Sequence, residues 1–329
     1  MENMEYIDRL YGKTEITDPI ILELINCPTM QRLKKIDQSG YFTPFYPGTE
    51  QSRFEHSVGV YLLLKIYGAP IEEQIAGLIH DASHAAFSHC VDYVLDAGSA
   101  SEQSYQDNIF DEYIRRSEIP AILEKYSIDT EYILNQTNFP LEETDLPDLC
   151  ADRIDYSLRS ARVFGEIESA DYFLENMKVE NQKWIFKDFA AAKNFAEMFF
   201  KMNSKYYSDL FSAVMFRTVG DYLRYALEKG YIDKGDLYST DSEVLAKVAQ
   251  FHGKDEKLRR LFDRMNNKVK FENSPADFDV RVICKSRAVD PRFRVDGVVK
   301  KVSDVDREWK TILETESKPK TYFIKFDKN

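Results

Sequence analysis

The stretch Ile71-Glu72-Glu73-Gln74-Ile75-Ala76-Gly77-Leu78-Ile79-His80-Asp81 decides how this chain is read. Pro70 stands just before it, where a missing N–H costs a helix nothing, and the apolar positions that follow recur at helical spacing. The pattern therefore predicts a helix that carries His80 and Asp81 near its end, a buried address for two polar groups. Upstream, the turn signal Pro47-Gly48 delivers the chain to Arg53-Phe54-Glu55-His56, and a second helix is expected from Arg53 to about Gly68. Downstream, Pro147 is read as the start of a helix carrying Asp152, Asp155, Tyr156 and Arg159, whose spacings of three, four and seven share one face. Two imidazoles and two carboxylates, His56, His80, Asp81 and Asp152, are enough to hold one divalent metal, and metals of that ligand class activate water. Four unrelated buried polar groups are the bland alternative, and unpaired buried charge costs several kcal/mol.

Working outward, Asp18-Pro19 opens a helix through Ile20 to Ile25, and Pro28 opens another carrying Met30, Leu33 and Ile36, stopped by Gly40. Tyr41 to Tyr46 reads as extended. A hairpin is expected around Lys178 to Phe186, followed by aromatic-rich helices from Phe189 to Gly230, where Tyr206, Tyr207, Phe211 and Phe216 read as core. Alternation in Val269-Lys270-Phe271, Arg281-Val282-Ile283-Cys284 and Tyr322 to Phe326 marks a change of character. The expected fold is mainly α, a helical bundle over 1–267 with its core motifs in 31–165, and a small α+β region over 268–329.

The 329 residues suffice for a large core, and 44 Lys+Arg against 56 Asp+Glu give a net charge of −12, which disfavours non-specific binding to a nucleic-acid backbone. No apolar stretch approaches the roughly 20 residues of a membrane-spanning helix, and nothing resembles a signal peptide, so a cytoplasmic, membrane-free protein is expected. Cys27, Cys90, Cys150 and Cys284 form no CxxC and are expected to be reduced, with Cys90 and Cys150 as small buried groups. His252, before Gly253, reads as a helix C-terminus residue without a catalytic role.

Four of the five histidines fall between 56 and 89. His80 and His84 are one helical turn apart, whereas His89 lies half a rotation away unless the helix breaks first. Arg53-Phe54-Glu55-His56-Ser57-Val58-Gly59-Val60 and His80-Asp81-Ala82-Ser83-His84-Ala85-Ala86-Phe87-Ser88-His89 resemble the signature segments of the HD superfamily of metal-dependent phosphohydrolases. The run Gln31 to Gly40 and the Pro47-Gly48 turn are similar to its deoxynucleoside triphosphate triphosphohydrolase branch. The resemblance is close over residues 1 to 165 and general beyond.

That resemblance implies an HD helical bundle. It implies metal ligation by His56, His80, Asp81 and Asp152, with Mn, Fe, Co, Ni or Zn as the ion and Mg also compatible. It implies Arg53 and His84 at the substrate phosphates, with His89 in the same role or supporting a ligand. Gln38 is placed at the sugar and Tyr156 against the sugar face, and Arg159 joins the substrate-binding set. For the charge-bearing residues a structural reading stands beside the functional one: Arg53 and Arg159 have ready partners in Glu55 and Asp155, and Tyr156 serves packing equally well.

Asp81, His84 and Glu102 are the candidate catalytic residues, with His84 or Glu102 as proton donor. Ser101-Glu102 stands where the branch has His-Glu, Ser160 where it has an acidic residue, and Ser83, Ala85 and Ala86 where it has glycines and proline. The expected function is hydrolysis of a (deoxy)nucleoside triphosphate to nucleoside and triphosphate. The alternatives are another phosphoester (a nucleoside monophosphate or a cyclic nucleotide) and a catalytically silent metal- and nucleotide-binding sensor. A homo-oligomer is implied by the branch.

Overall fold

The computed structural model describes residues 3–95 and 105–327. A hairpin of β1 (Met4–Asp8) and β2 (Gly12–Ile16) leads into α1 (Pro19–Asn26), α2 (Pro28–Arg32), α3 (Arg53–Ile66), α4 (Ile71–Ile79), α5 (Tyr105–Arg116), α6 (Ile119–Lys125) and α7 (Thr130–Leu134). Then follow α8 (Ala151–Val163), α9 (Asp171–Glu175), the hairpin β3 (Met177–Glu180) and β4 (Lys183–Phe186), and α10 (Phe189–Met202), which runs through a π-helical turn (Asn203–Tyr207) into α11 (Leu210–Glu228). The chain closes with α12 (Asp241–Ala249), α13 (Glu256–Met265), β5 (Phe271–Asn273), β6 (Val280–Cys284), β7 (Arg292–Val295), β8 (Val298–Lys301), α14 (Val302–Val305), α15 (Arg307–Glu316) and β9 (Lys320–Phe326). A mainly helical bundle with strands toward the C-terminus is the architecture the sequence led us to expect. The last strands knit back into the bundle: β3-β4-β7-β8 form one sheet, with β4 parallel to β7, and β5-β9-β6 form another.

The central helix is α3. Ser52 caps it, its side chain accepting from the Glu55 N–H while the Glu55 carboxylate accepts from the Ser52 N–H, a reciprocal box that satisfies two orphan donors. Arg53, Phe54 and every residue from His56 to Leu64 are buried, so α3 is enclosed on all sides. Two apolar clusters share it: Val60, Leu63 and Leu64 pack with α8 and α10, while Val58, Tyr61 and Leu62 pack with α1 and α4. A third cluster joins the 85–93 segment to α11, α13 and the β5-β9-β6 sheet.

Three local readings change. Residues 41–46 form a turn: the N–H groups of Phe45 and Tyr46 both donate to the Phe42 carbonyl, and the Asp37 carboxylate receives the Ser39 and Phe42 N–H groups. Helical geometry after Pro28 ends by Lys35, and Ile36 is extended (φ −120°, ψ 122°), well before Gly40. Pro147 does not start α8. The N–H groups of Ala151 and Asp152 are taken by the carbonyls of Leu141 and Glu142, and the helix begins only there, with Cys150 at its N-cap.

Candidate metal centre and its cavity

Three elements bring the site together. His56 lies in the first turn of α3, His80 is the residue that ends α4, and Asp152 lies in the first turn of α8. His80 Nε2 is 3.2 Å from His56 Nε2 and 3.4 Å from Asp152 Oδ1, and His56 Nε2 is 2.8 Å from the same carboxylate oxygen. Asp81 closes a fourth side, its oxygens 3.5 Å from His80 Nε2 and 3.8 Å from His56 Nε2.

The other ring nitrogens fix what these atoms are. His80 Nδ1 donates to the Gly77 carbonyl at 2.8 Å, and a carbonyl can only accept. His56 Nδ1 faces Asp155 Oδ1 at 2.8 Å. Against its burial, Arg159 and His56 hold the Asp155 carboxyl below the usual range, so it too accepts. In the neutral rings both Nε2 atoms therefore bear lone pairs aimed at Asp152 Oδ1. Such crowding of lone pairs at these distances calls for a cation among them, and an Nε2 donor backed by a carboxylate or carbonyl on Nδ1 is what metal-ligating histidine presents. Without an ion the same demand shows as proton affinity. Although burial opposes it, Asp152 and Asp155 raise the His56 pKa, and Asp81 and Asp152 raise that of His80 well above its ordinary value. The donor set thus fits a divalent metal.

Glu143, Cys150 and Asp152 also lie close enough together to share an ion. Burial pushes the Cys150 thiol well above its usual range, however, and the thiol is the poor ligand while the thiolate is the good one.

Around the ligands, Arg53 is buried at 3% exposure and each of its guanidinium nitrogens has a partner: Nη1 donates to Asp81 at 2.7 Å, Nε to Ser88 Oγ at 2.9 Å and Nη2 to the Gln38 carbonyl at 2.7 Å. It orients Asp81. The helix stops at His80, so His84 reaches Asp81 Oδ1 (3.2 Å) from a turn and does not share a helical face with His80. Burial and the Arg53 charge press the His84 imidazole down to about 3, which leaves it neutral at pH 7. His89 pairs with Asp92 at 3.2 Å. Phe87 (φ 62°) and Ser88 (φ 45°) hold a left-handed conformation between these histidines, pinned where the Phe87 N–H donates to Asp241. Arg32 braces the same loop, donating to the carbonyls of Ala82 and His84 at 3.0 and 2.8 Å.

These groups open on a cavity of about 980 Å³. Gln38, Arg53, His80, Asp81, His84, His89, Asp152 and Tyr156 line it. Arg159 does not: it is 1% exposed and held by Asp155 at 2.9 Å and Asp8 at 3.1 Å, because the β1-β2 hairpin covers that end of the helical face. Its expected place at the substrate gives way to a supporting ion pair. Glu102 and Ser101 lie outside the described residues.

Several lining residues were not expected at the site from the sequence, or were expected there in another role. Tyr207 and Phe216, read as core, line the cavity, Tyr207 forming an aromatic wall with Tyr156 where the two rings meet edge-on at 5.9 Å. Glu142, raised to about 8 by burial, and Asp107, raised to about 6 by burial, stand on other walls. Lys285 and Arg287 arrive from beyond β6. Ser160 also faces the cavity, its hydroxyl accepting from Gln51 Nε2 at 2.9 Å. Ser160 stands at a position the resemblance had marked, whereas no sequence motif marks Asp107, Glu142, Lys285 or Arg287. The alternating pattern of β6, had it been continued past Cys284, was the one available signal.

No family model matches the chain. The uncharacterised protein YdhJ of Bacillus subtilis is 35% identical over 308 residues, 93% of each chain. The metal-dependent phosphohydrolase cns2 of Cordyceps militaris is 38% identical over 165 residues, covering 50% of this chain and 47% of that one. The deoxynucleoside triphosphate triphosphohydrolase of Homo sapiens is 31% identical over 159 residues, covering 41% of this chain and 25% of its own. The chain thus spans less than half the length of the latter two. A crystallised phosphohydrolase from Bacteroides thetaiotaomicron superposes with a TM-score of 0.72 at 19% identity over 99% of this chain and 100% of that one, which shows a shared fold. With the His-Asp centre at the junction of α3, α4 and α8, the chain belongs to the HD-domain superfamily of metal-dependent phosphohydrolases. Among the described residues no helix is long and apolar enough to cross a membrane.

Proposed function

We propose that the chain hydrolyses a phosphoester of a nucleotide, with a (deoxy)nucleoside triphosphate as the leading substrate, and that His56, His80, Asp81 and Asp152 hold the divalent ion. One observation carries the reading: the Nε2 atoms of two imidazoles converge within 3.4 Å of Asp152 Oδ1 at the wall of a cavity of about 980 Å³. When bound, the ion supplies a Lewis acid that polarises a phosphoryl oxygen and lowers the pKa of water.

The residues do the rest. Asp155 and the Gly77 carbonyl fix the tautomers, and Arg53 aims Asp81. Tyr156 and Tyr207 offer faces for a sugar or base. His84, as a neutral imidazole donating toward Asp81, positions that carboxylate and faces the substrate as a hydrogen-bond partner.

The test is product analysis on metal-loaded protein with a panel of nucleotides. Release of inorganic tripolyphosphate from at least one, abolished by His80→Ala, is expected. No hydrolysis of any member would overturn the proposal. One observation favours a smaller phosphoester as second reading: Ser160, facing the cavity, is tied to Gln51 and carries no charge for a sugar hydroxyl. Orthophosphate without tripolyphosphate would decide for it.

A further inference from the structure

Asp241 is the first residue of α12, where an acidic side chain ordinarily serves the helix dipole. The start of this helix is already satisfied, because Thr240 caps it in a reciprocal box with Glu243. Both Asp241 oxygens turn instead to other segments. Oδ1 accepts from the Phe87 N–H at 2.7 Å and Oδ2 from the Asp37 N–H at 2.9 Å.

Those two residues stand immediately before the two that support Arg53. Ser88 Oγ accepts from Arg53 Nε at 2.9 Å and the Gln38 carbonyl from Nη2 at 2.7 Å, while Nη1 reaches Asp81 at 2.7 Å. Ser88 Oγ in turn donates to the Asp37 carbonyl at 2.5 Å, so Asp241, Arg53 and the two segments between them form a closed ring of hydrogen bonds. The ring holds Phe87 and Ser88 in a left-handed conformation that neither residue favours. Further ties join the same loop to the approach to α12: the Ala86 N–H donates to the Leu237 carbonyl at 2.7 Å, and Arg32 reaches the Ser239 carbonyl at 3.2 Å as well as those of Ala82 and His84. A carboxylate is a costly occupant of this place, since burial, with the Asp37 charge adding to it, raises its pKa to about 7. An amide would fill the space at less cost, but it offers one acceptor oxygen where the two N–H groups need one each.

We propose that Asp241 is a positioning residue for the metal centre: its two oxygens hold the segments that support Arg53, and Arg53 in turn aims Asp81 at the ion. This rests on the metal-dependent reading above and deepens it.

The test measures the affinity of the full chain for manganese(II) by competition with a chelating dye at about pH 8, above the Asp241 pKa. Asp241→Asn, which sets an NH2 group against one of the two N–H donors, should bind the ion about tenfold more weakly. In an Arg53→Lys background, which keeps a charge beside Asp81 but loses the fork that reaches Ser88 and Gln38, the further loss should shrink to less than about twofold. Ser88→Ala cuts one of the two routes to Arg53 and is the milder background, in which the loss should be about threefold. Wild-type affinity in Asp241→Asn overturns the proposal. So does a loss undiminished in whichever of the two backgrounds folds, because Asp241 would then act on the fold at large and not through Arg53. Turnover separates the two claims. A coupled loss of manganese affinity in a protein that hydrolyses no nucleotide sinks the phosphohydrolase reading and leaves the positioning role. Nucleotide hydrolysis whose manganese dependence is unmoved in Asp241→Asn sinks the positioning role and leaves the activity.

Discussion

Gly59 is the sharpest place to test how the metal ligands are held. It sits in α3 directly beneath the Arg159–Asp155 ion pair, and a Cβ built there would come within 2.8 Å of the Asp155 carboxyl carbon and closer still to Asp155 Oδ2 and Arg159 Nη2. Intrinsic preference argues that Gly59→Ala should stabilise the helix by about 1 kcal/mol. Packing argues the reverse. Overfilling a tight interior costs about 1–3 kcal/mol, and prising apart a buried pair whose partners are 0 and 1% exposed costs about 3–5 kcal/mol when one charge is left alone. The loss at the ion pair outweighs the helical gain, and a net loss of about 2–4 kcal/mol is expected from urea denaturation in chelator. Because Asp155 also fixes His56 through Nδ1, metal affinity should fall about 10–100-fold, read by competition with a chromogenic chelator. Gly253→Ala, with nothing within 4 Å of the added carbon, is the control and should be near neutral. A Gly59→Ala protein as stable as the wild type that keeps its metal would refute the reasoning.

Other consequences follow from the same geometry. Arg53→Met, which strips a buried carboxylate of its partner, should cost about 3–5 kcal/mol and loosen the metal; unchanged stability with only KM raised would show that Arg53 serves the substrate instead. Chelation should lower the melting temperature of the wild type but not of His80→Ala, and equal shifts in both would place the ion elsewhere. Asp241 receives the N–H groups of Asp37 and Phe87, yet burial raises its pKa to about 7. With the folded pKa above the unfolded one, its contribution is full below about pH 4 and declines by up to about 4 kcal/mol as pH rises toward 7. Relative to Asp241→Asn, the wild type should therefore lose melting temperature between pH 5 and 7.5, and parallel curves for the two proteins would contradict this.

Much of this was legible because helices and metal ligands leave local marks. Pro19 and Pro28 announced α1 and α2, and Pro70 with the spaced apolar residues announced α4. His56, His80 and Asp152 stood out because such residues are costly inside apolar helices unless they serve one another. What escaped reading is non-local. Pro147 looked like a helix start, yet the Leu141 and Glu142 carbonyls claim the N–H groups that open α8 four residues later. Tyr41 to Tyr46 has strand composition, but Asp37 wraps it into a turn. Arg159 shares a helical face with Asp152, and only the distant hairpin decides that it is covered. Lys285 and Arg287 carry no motif, since their placement depends on Asn203, more than 80 residues earlier in the chain.

The covering hairpin explains why the N-terminal strands belong to the site at all. Asp8 receives the N–H groups of Leu10 and Tyr11 at 2.7 and 3.1 Å, which shapes the turn between β1 and β2, and its other oxygen meets Arg159 at 3.1 Å. Tyr11 donates to Asp155 Oδ2 at 2.9 Å. Asp155 thus accepts from Tyr11, Arg159 and His56 at once, and its charge is stabilised from three elements before it acts on the imidazole. A carboxylate so held remains an acceptor, and an acceptor at Nδ1 keeps the Nε2 lone pair of His56 turned toward Asp152. The chain from Asp8 through Arg159 and Asp155 to His56 makes the two-stranded hairpin part of what sets the protonation of a metal ligand, although no hairpin residue lines the cavity.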